Sequence, residues 1–174
     1  MKETRTVSET QVEIAELMMP EHANPAGNVF GGVIMRIIDQ AAAIVASRHT
    51  HRNVVTASVD RIDFLAPAFI GNVIFAKASL NYVATTSMEV GVRVEDECLI
   101  SGEKAHIGSA YLTYVALDEN DKPVEVPKLI PETVEQKRRF EEGKKRREKR
   151  LKKIPKESKK KAGCVARPSL LKQE

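Results

Sequence analysis

Several residue types are scarce in this chain of 174 residues, and their scarcity excludes whole classes of protein. Tryptophan is absent, aromatic residues make up 5%, and the only cysteines are Cys98 and Cys164. Two cysteines cannot form the disulfide framework of a small secreted domain, and these two lack the spacing of metal ligands. We therefore expect a protein of the reducing cytoplasm, and the N-terminal residues show no apolar segment typical of a secretory signal.

Long apolar runs and the common catalytic motifs are also missing. The longest apolar stretch, residues 33–46, is interrupted by Arg36, Asp39 and Gln40, and it is shorter than the roughly 18 residues of a membrane span. There is no G-x-S-x-G elbow, phosphate-binding loop, G-x-G-x-x-G, H-E-x-x-H or C-x-x-C. These absences argue against a membrane protein and against nucleophilic-serine, nucleotide-hydrolysing or zinc chemistry.

Charge divides the chain into two unequal parts. Residues 1–130 contain 11 basic and 17 acidic residues and have a net charge of −6, whereas residues 131–174 contain 17 basic and 7 acidic residues and have a net charge of +10. We predict one acidic globular domain over residues 1–130, followed by a basic tail over residues 131–174.

The hydrophobic pattern of the first part predicts an α+β fold. Apolar residues alternate with polar ones in five segments, which predicts strands over residues 7–17, 54–65, 73–83, 87–95 and 106–117. Residues 30–48 are apolar nearly all round, as expected for a buried central helix. The alternation shifts near Asp60 and Arg61, which indicates a bulge. Short connections favour a four-stranded antiparallel meander after the helix, and the sheet is expected to curl around that helix.

The tail has a different pattern. Residues 132–153 are rich in helix formers and place glutamates four residues before basic residues, as in Glu142 and Arg146. Their apolar residues are too sparse for a stripe that faces a core. We predict a solvated helix that lies over the acidic body of its own or a neighbouring subunit, with a disordered end beyond Pro155. The tail lacks interleaved aromatic residues, so we expect neither a nucleic-acid partner nor a membrane partner.

Residues 22–40 contain the features that point to chemistry. Gly31 and Gly32 open the apolar helix, where unpaired backbone N–H groups favour an anion or a polarised carbonyl. Asp39 follows about two turns later among small side chains, where a carboxylate is costly unless it is paired or lines a cavity. The residues leave two interpretations open, a functional carboxylate at a cavity or an ion pair with Arg36.

The same segment resembles a known family. The pattern P-x-x-A-N-x-x-G-x-x-x-G-G followed by I-D-x-A-A-A is similar to that of the acyl-CoA hydrolase branch of the hotdog-fold thioesterases. Supporting stretches are V-V-T-A-S-V-D at residues 54–60, F-L-A-P at residues 64–67 and T-T-S at residues 85–87. The likeness covers about residues 8–125 and excludes the tail. It implies a hotdog fold, an antiparallel sheet of about five strands wrapped around a long central helix.

The resemblance also implies an activity and its residues. It implies hydrolysis of acyl-CoA in fatty-acid metabolism, with Asp39 as general base or nucleophile and Asn24 orienting the water or the carbonyl. By residue type alone, Asn24 before Pro25 is more often an Asx turn. Gly31 and Gly32 would supply an oxyanion hole at the helix start. No metal and no cofactor beyond the CoA of the substrate are implied.

Family sites lie at a dimer interface, so Asn24 of one protomer is expected to face Asp39 of the other. The expected assembly is a homodimer, further assembled into a hexamer as a trimer of dimers.

Other residues are candidates for contacts with CoA. Val55, Thr56, Ala57 and Ser58 would line the pantetheine channel, unless they are ordinary strand residues. Thr85, Thr86 and Ser87 would bond the nucleotide end of CoA, unless they are ordinary turn residues. Arg61, Arg93 and Lys104 are candidates for the phosphates.

Two other functions fit the same fold. One is a protein that binds CoA or acyl-CoA as a sensor without turnover. The other is a hotdog dehydratase, for which His22 would be the candidate histidine, although its loop matches the thioesterase pattern better. His49, His51 and His106 show no consistent spacing and receive no role.

Overall fold

A computed structural model of the chain describes residues 3–153. In chain order its elements are β1 (Thr4–Thr6), β2 (Val12–Leu17), α1 (Gly31–Thr50), β3 (Asn53–Phe64), β4 (Val73–Val83), β5 (Ser87–Glu97), β6 (Lys104–Leu117), β7 (Lys128–Ile130) and α2 (Val134–Lys153). Five strands form one sheet in the order β2-β4-β5-β6-β3, with all neighbours antiparallel. Strands β1 and β7 form a separate parallel pair. No helix in this range is long and apolar enough to cross a membrane.

Helix α1 is the centre of the core, as its sequence predicts. Its isoleucines and alanines are fully or almost fully buried against the sheet, and small residues such as Ala42 and Ala46 let the strands approach closely. The helix ends where His51 takes a left-handed conformation (φ 49°) and its N–H donates to the Ser47 carbonyl at 2.7 Å. The predicted α+β arrangement of a sheet on a long helix is confirmed.

The predicted four-stranded meander is wrong for β3. Strands β4, β5 and β6 form a meander, but β3 pairs with β6 at the far edge of the sheet. The reason is the connection after β3, residues 65–72, which is too long for a tight hairpin and crosses below the start of α1. There Val29 N–H donates to the Ala68 carbonyl at 2.9 Å, and Met18 N–H donates to the Asn72 carbonyl at 2.8 Å.

Strand β3 is irregular as well as being an edge strand. Its register against β6 shifts between Thr56 and Ser58 and again between Val59 and Arg61. The bulge predicted near Asp60 is therefore confirmed, and a second bulge lies at Ala57. Each bulge leaves one residue without a partner in the ladder, and this bends and twists the strand.

The first predicted strand is shorter than expected. It begins at Val12, because residues 7–10 form a turn in which the N–H groups of Thr10 and Gln11 both point to the Val7 carbonyl. Glu9 stabilises this turn by accepting a hydrogen bond from Thr6 N–H at 2.7 Å. Residues 7–10 therefore show the alternation of a strand in sequence but form a turn in the structure.

The predicted helix of the tail is confirmed as α2, but it is not solvated all round. One face packs on the side of the sheet opposite α1, where the Phe140 ring lies 5.0 Å from the ring of Tyr82. Arg146 forms an ion pair with Glu89 at 2.7 Å on the same face. The prediction of a disordered end beyond Pro155 concerns residues outside the described range.

Candidate active site

The Asp39 carboxylate is fixed by two hydroxyl groups of the sheet. Its Oδ1 accepts hydrogen bonds from Tyr114 Oη at 2.6 Å and from Thr56 Oγ1 at 2.9 Å. Thr56 and Tyr114 are direct cross-strand partners in β3 and β6, so both hydroxyls reach the same oxygen. Within the described range Oδ2 has no hydrogen-bond partner, and it is free to accept a proton or to attack a carbonyl.

Tyr114 is the residue that sequence reasoning missed. It is 1% exposed and also donates to the Asp39 main-chain carbonyl at 3.0 Å. Burial, together with the hydrogen bond to Asp39, raises the pKa of Tyr114 above its ordinary value, so the phenol stays protonated and acts as a donor. A tyrosine at an inward position of a central strand is a usable signal, because a buried phenol almost always requires a polar partner.

The interpretation of Asp39 as a partner of Arg36 is wrong. Arg36 donates to Glu16 of β2 at 2.5 Å and to Gln40 at 3.1 Å. Asp39 lies on an exposed face of α1, beside Met35, which is 45% exposed. In the single chain this carboxylate therefore lies on an open face of the helix.

Asn24 forms the Asx turn that its residue type favours. Its Oδ1 accepts hydrogen bonds from Ala26 N–H at 2.9 Å and from Asn28 N–H at 3.2 Å, and this closes the loop before α1. Among residues 3–153 its Nδ2 group has no recorded partner. The turn and a functional role are therefore compatible, because the amide N–H group remains free to donate.

The start of α1 presents two unpaired donors between aromatic rings. The N–H groups of Gly31 and Gly32 lie in the first turn and have no intrahelical acceptor. A Cβ at Gly32 would overlap the Phe30 ring in its present position, so the ring packs over the helix start because this residue is glycine. Phe30 is 57% exposed and Phe64, whose ring approaches Gly31, is 48% exposed. Donors beside exposed apolar rings suit the oxygen of an acyl group.

The single chain does not bring all these groups together. Asp39 follows Gly31 by eight residues, which places it about 12 Å further along the helix axis. The structure records no contact between Asp39 and Asn24 within one chain. One thioester carbonyl therefore cannot contact the helix start and the Asp39 carboxylate of the same chain at the same time.

Some of the candidate CoA contacts lie near Asp39, and others do not. Ser87 pairs with Val115, the neighbour of Tyr114, so the hairpin of Thr85, Thr86 and Ser87 lies at the same end of the sheet as Asp39. Of the stretch Val55, Thr56, Ala57 and Ser58, only Thr56 contacts Asp39, while Ser58 Oγ donates to Asp60 at 3.1 Å.

The three candidate cations do not form one phosphate site. Lys104 lies ten residues from Tyr114 along β6, about 33 Å away, and it pairs with Glu97 at 3.0 Å. Arg93 lies on the α2 side of the sheet with Glu89 and pairs with Glu95 at 2.7 Å. Arg61 pairs with Asp63 at 2.5 Å. The structure thus separates Arg93 and Lys104 from Asp39.

His22, the candidate histidine of a dehydratase, has a structural contact in the loop before α1. Its Nδ1 accepts a hydrogen bond from Met19 N–H at 3.1 Å and caps the short 3₁₀ turn Pro20–His22. This contact occupies Nδ1, whereas Nε2 lies 3.9 Å from Glu16 Oε1. Among the residues that the structure describes, no group of three or more histidine, cysteine or acidic side chains is arranged to hold a metal ion.

Comparisons with known proteins support the resemblance. A model of the Thioesterase superfamily matches residues 26–99. An uncharacterized acyl-CoA thioester hydrolase of Bacillus subtilis is 42% identical over 134 residues, which are 77% of this chain and 78% of the relative. A cytosolic acyl coenzyme A thioester hydrolase of the rat is 41% identical over 144 residues, 82% of this chain but only 38% of that longer protein.

Solved structures give the same result. The apo form of a hexameric acyl-CoA thioesterase matches with a TM-score of 0.83 and 37% identity, over 86% of this chain and 96% of that one. Acyl-CoA hydrolase of Staphylococcus aureus, in complex with butyryl-CoA, CoA and CoA disulfide, matches with a TM-score of 0.81 and 35% identity, over 90% and 95%. Variants of that enzyme with an aspartate, a threonine or an asparagine changed to alanine have also been solved. The predicted hotdog fold is confirmed.

Proposed function

The chain belongs to the acyl-CoA thioester hydrolases of the thioesterase superfamily, and on that premise we propose that it hydrolyses acyl-CoA to a free carboxylic acid and CoA. The observation that carries the proposal is the Asp39 carboxylate, held on one oxygen by Thr56 and Tyr114 and free on the other. A fixed carboxylate with one available oxygen is suited to act as a general base or as a nucleophile.

The spacing of three residues supports this assignment. Asn24, Asp39 and Thr56 follow one another at intervals of 15 and 17 residues. The asparagine, aspartate and threonine replaced in the S. aureus variants are separated by the same two intervals. We propose that these three positions form the catalytic site in this chain, with Thr56 holding Asp39 in addition to any contact with pantetheine.

The proposed site is shared between two protomers. The helix start and Asp39 of one chain are too far apart to act on one carbonyl. We therefore assign Asn24, Gly31 and Gly32 to one protomer and Asp39 to its partner, so that a symmetric dimer contains two equivalent sites. The free Nδ2 of Asn24 and the two glycine N–H groups then act as donors opposite the partner's Asp39.

The surface of the single chain suits such a dimer. Strand β3 is an edge of the sheet, and its outer backbone has no partner among the described residues. Large apolar side chains are exposed on and beside this edge: Phe30, Met35, Val55, Val59, Phe64 and Leu65. We propose a homodimer joined through β3, assembled further into a hexamer as a trimer of dimers. The hexameric state of a structural relative supports the proposed number of subunits.

The proposed reaction consumes water. The donors at Asn24, Gly31 and Gly32 polarise the thioester carbonyl and stabilise the oxyanion that develops. Oδ2 of Asp39 removes a proton from a water molecule, and the water oxygen forms a bond to the carbonyl carbon. The C–S bond then breaks, and the CoA thiolate takes up a proton and leaves as the thiol. If Asp39 attacks directly, a mixed anhydride forms first and water hydrolyses it.

The proposed reaction requires no metal and no cofactor. For the nucleotide end of CoA we favour the hairpin of Thr85, Thr86 and Ser87, which lies near Asp39, and we retain Arg61 as a phosphate contact because β3 faces the proposed partner. The cytoplasm is the proposed location, supported by the cytosolic rat relative.

Release of free thiol tests the proposal. Wild type and Asp39→Ala are compared on acetyl-, hexanoyl- and palmitoyl-CoA, with Gln40→Ala as a control at the adjacent exposed position of α1. We expect Asp39→Ala to lose at least about 100-fold in kcat, as is usual for removal of a general base, and the control to retain activity. Binding of CoA without thiol release from any wild-type substrate would contradict the proposal and favour a sensor.

A further inference from the structure

Two hydrogen-bond networks lie back to back on the same pair of strands. On the α1 side, Thr56 and Tyr114 hold Asp39. On the α2 side, Thr113, the neighbour of Tyr114 in β6, bonds the carboxylate of Asp60 in β3 at 3.3 Å. Since successive residues of a strand point to opposite faces, a shift of β3 against β6 changes both networks together.

Helix α2 contributes Arg150 to the hydrogen-bond network on its own side of the sheet, which we call the outer network. Asp60 Oδ1 accepts a hydrogen bond from Ser58 at 3.1 Å, and its Oδ2 accepts one from Arg150 Nη1. Arg150 Nη1 also donates to Thr113 Oγ1 at 2.7 Å. The side chains of Asp60 and Arg150 are only 16% and 20% exposed, although the backbone of this edge strand is open. The two side chains therefore largely shield one another from solvent.

The segment that carries Thr56 has few other constraints. Between Thr56 and Arg61 only two residues, Ser58 and Val59, are paired with β6, because Ala57 and Asp60 lie in bulges. No strand of the described chain lies on the other side of β3. The position of the Thr56 hydroxyl relative to Asp39 therefore depends on contacts from outside this ladder, which are those of α2 and, in the proposed dimer, those of the partner strand.

Helix α2 is held firmly enough to supply such a contact. Arg146 donates through Nε and Nη2 to both oxygens of Glu89, whose side chain is 2% exposed, and its guanidinium lies 4.0 Å from the Tyr111 ring. Arg150 follows one turn later on the same face. The helix is thus anchored on the central strand β5, and the Arg150 side chain extends from its next turn to Asp60 of the edge strand β3.

We propose that Arg150 is a positioning residue for the hydrolysis: by binding Asp60, α2 fixes the doubly bulged segment 56–61 of β3, and with it the Thr56 hydroxyl that holds Asp39. This inference rests on the proposed function, since it assigns Asp39 to the reaction. It gives helix α2 a role in the active site, although this helix lies on the face of the sheet opposite α1.

The test compares Arg150→Gln and Arg150→Lys in the full chain, with Arg138→Gln as the matched control. Within residues 3–153, the hydrogen bonds of Arg138 lead only to Glu135 and Glu142 of α2 itself. We expect Arg150→Gln to lower kcat about tenfold, less than the roughly hundredfold that a 1 Å misplacement can cost, with KM nearly unchanged. Arg150→Lys should recover part of the loss, and Arg138→Gln should match wild type.

A double variant identifies the route of the effect. If Arg150 acts through Thr56, Arg150→Gln should lower kcat little further in a Thr56→Val background, whereas a general loss of stability would lower kcat in either background. An equal kcat loss for Arg150→Gln in both backgrounds, or no loss relative to Arg138→Gln, would overturn the proposal.

Hydrogen exchange gives a readout that does not depend on activity. Amides of residues 56–61 should exchange faster in Arg150→Gln than in wild type or Arg138→Gln, while α1 amides remain unchanged. Unchanged exchange in this segment would overturn the structural part of the proposal. If wild type releases no thiol while exchange responds as expected, the proposed function fails and the support of β3 by α2 stands.

Discussion

Helices α1 and α2 have the same length of 20 residues and lie on opposite faces of one sheet, yet they are held by different interactions. Helix α1 buries isoleucines, valines and alanines that need only a complementary shape. Helix α2 is held by Phe140, Gly143 and two arginines that require particular partners. Apolar burial of α1 stabilises the core, whereas the directed polar contacts of α2 hold individual side chains of β5 and β3. The polar attachment therefore suits a supporting role for the site.

The largest effect is expected from the α1 side. Ile37 is 0% exposed, so Ile37→Ala removes buried apolar atoms and leaves a cavity. We expect the free energy of unfolding to fall by about 2–5 kcal/mol, measured by urea denaturation. Val134→Ala at the exposed start of α2 is the control, and it should change stability by less than about 0.5 kcal/mol. A similar fall in the free energy of unfolding for Val134→Ala would contradict the claim that apolar burial in α1 dominates stability.

Gly143→Ala in α2 is expected to lower the free energy of unfolding by a smaller amount, although this substitution in a helix ordinarily raises it. Replacing a helical glycine by alanine normally stabilises a helix by about 1 kcal/mol. Here the new Cβ would lie 2.8 Å from Cβ of Tyr82 and 3.1 Å from Oε1 of Glu89. We therefore expect a net loss of about 1 kcal/mol, since overpacking of this kind typically costs about 1–3 kcal/mol.

Denaturant unfolding measures this change, and Lys144→Ala at the neighbouring exposed position serves as the control. If Gly143→Ala stabilises the protein as an isolated helix would be stabilised, the close packing of α2 on the sheet is contradicted.

The smallest effect is a pH dependence at the end of α1. His49 is fully buried, and its Nε2 donates to the Pro127 carbonyl at 2.8 Å. Burial is the main cause that lowers the pKa of His49 below its ordinary 6.5, with Arg5 adding repulsion, while the Pro127 hydrogen bond and Glu9 act in the opposite direction. Below about pH 6.5, His49 is therefore protonated in the unfolded chain but stays neutral in the folded chain. The free energy of unfolding falls as the pH drops through this range.

His49→Gln tests this dependence, because the amide keeps a donor for Pro127 and cannot titrate in this range. Thermal unfolding of both proteins between pH 7.5 and 5 should give a shallower acid loss for the variant. Identical slopes would show that His49 is not responsible.

Local patterns predicted the elements better than their arrangement. The bounds of β4 and the bulge at Asp60 could be predicted because period-two alternation and its interruption are local properties. The position of β3 at the far edge could not, since strand pairing depends on how the connection 65–72 runs in space. The position of α2 over acidic residues of the body was predicted, but the face that packs on the sheet was missed. Its residues, one phenylalanine, one glycine and two arginines, do not form an apolar stripe.

The candidate site shows the same limit. The motif around Asn24 and Asp39 predicted the two residues, and both remain predictions as catalytic groups. Their hydrogen-bond partners could not be predicted, because Tyr114 lies 75 residues from Asp39 in the chain and reaches it only through the pairing of β6 with β3. Lys104 is separated from Asp39 by its distance along β6, and Arg93 is separated because it lies on the opposite face of β5.

Complementation between two inactive variants tests the proposed shared site most directly. Asn24→Ala and Asp39→Ala proteins are each assayed alone for thiol release, then mixed, allowed to exchange subunits, and assayed again, with exchange followed by native mass spectrometry. A site shared across the dimer restores roughly a quarter of the wild-type rate, because half of the randomly assorted dimers contain one intact site of two. Complete exchange without recovered thiol release would contradict a site built from two protomers.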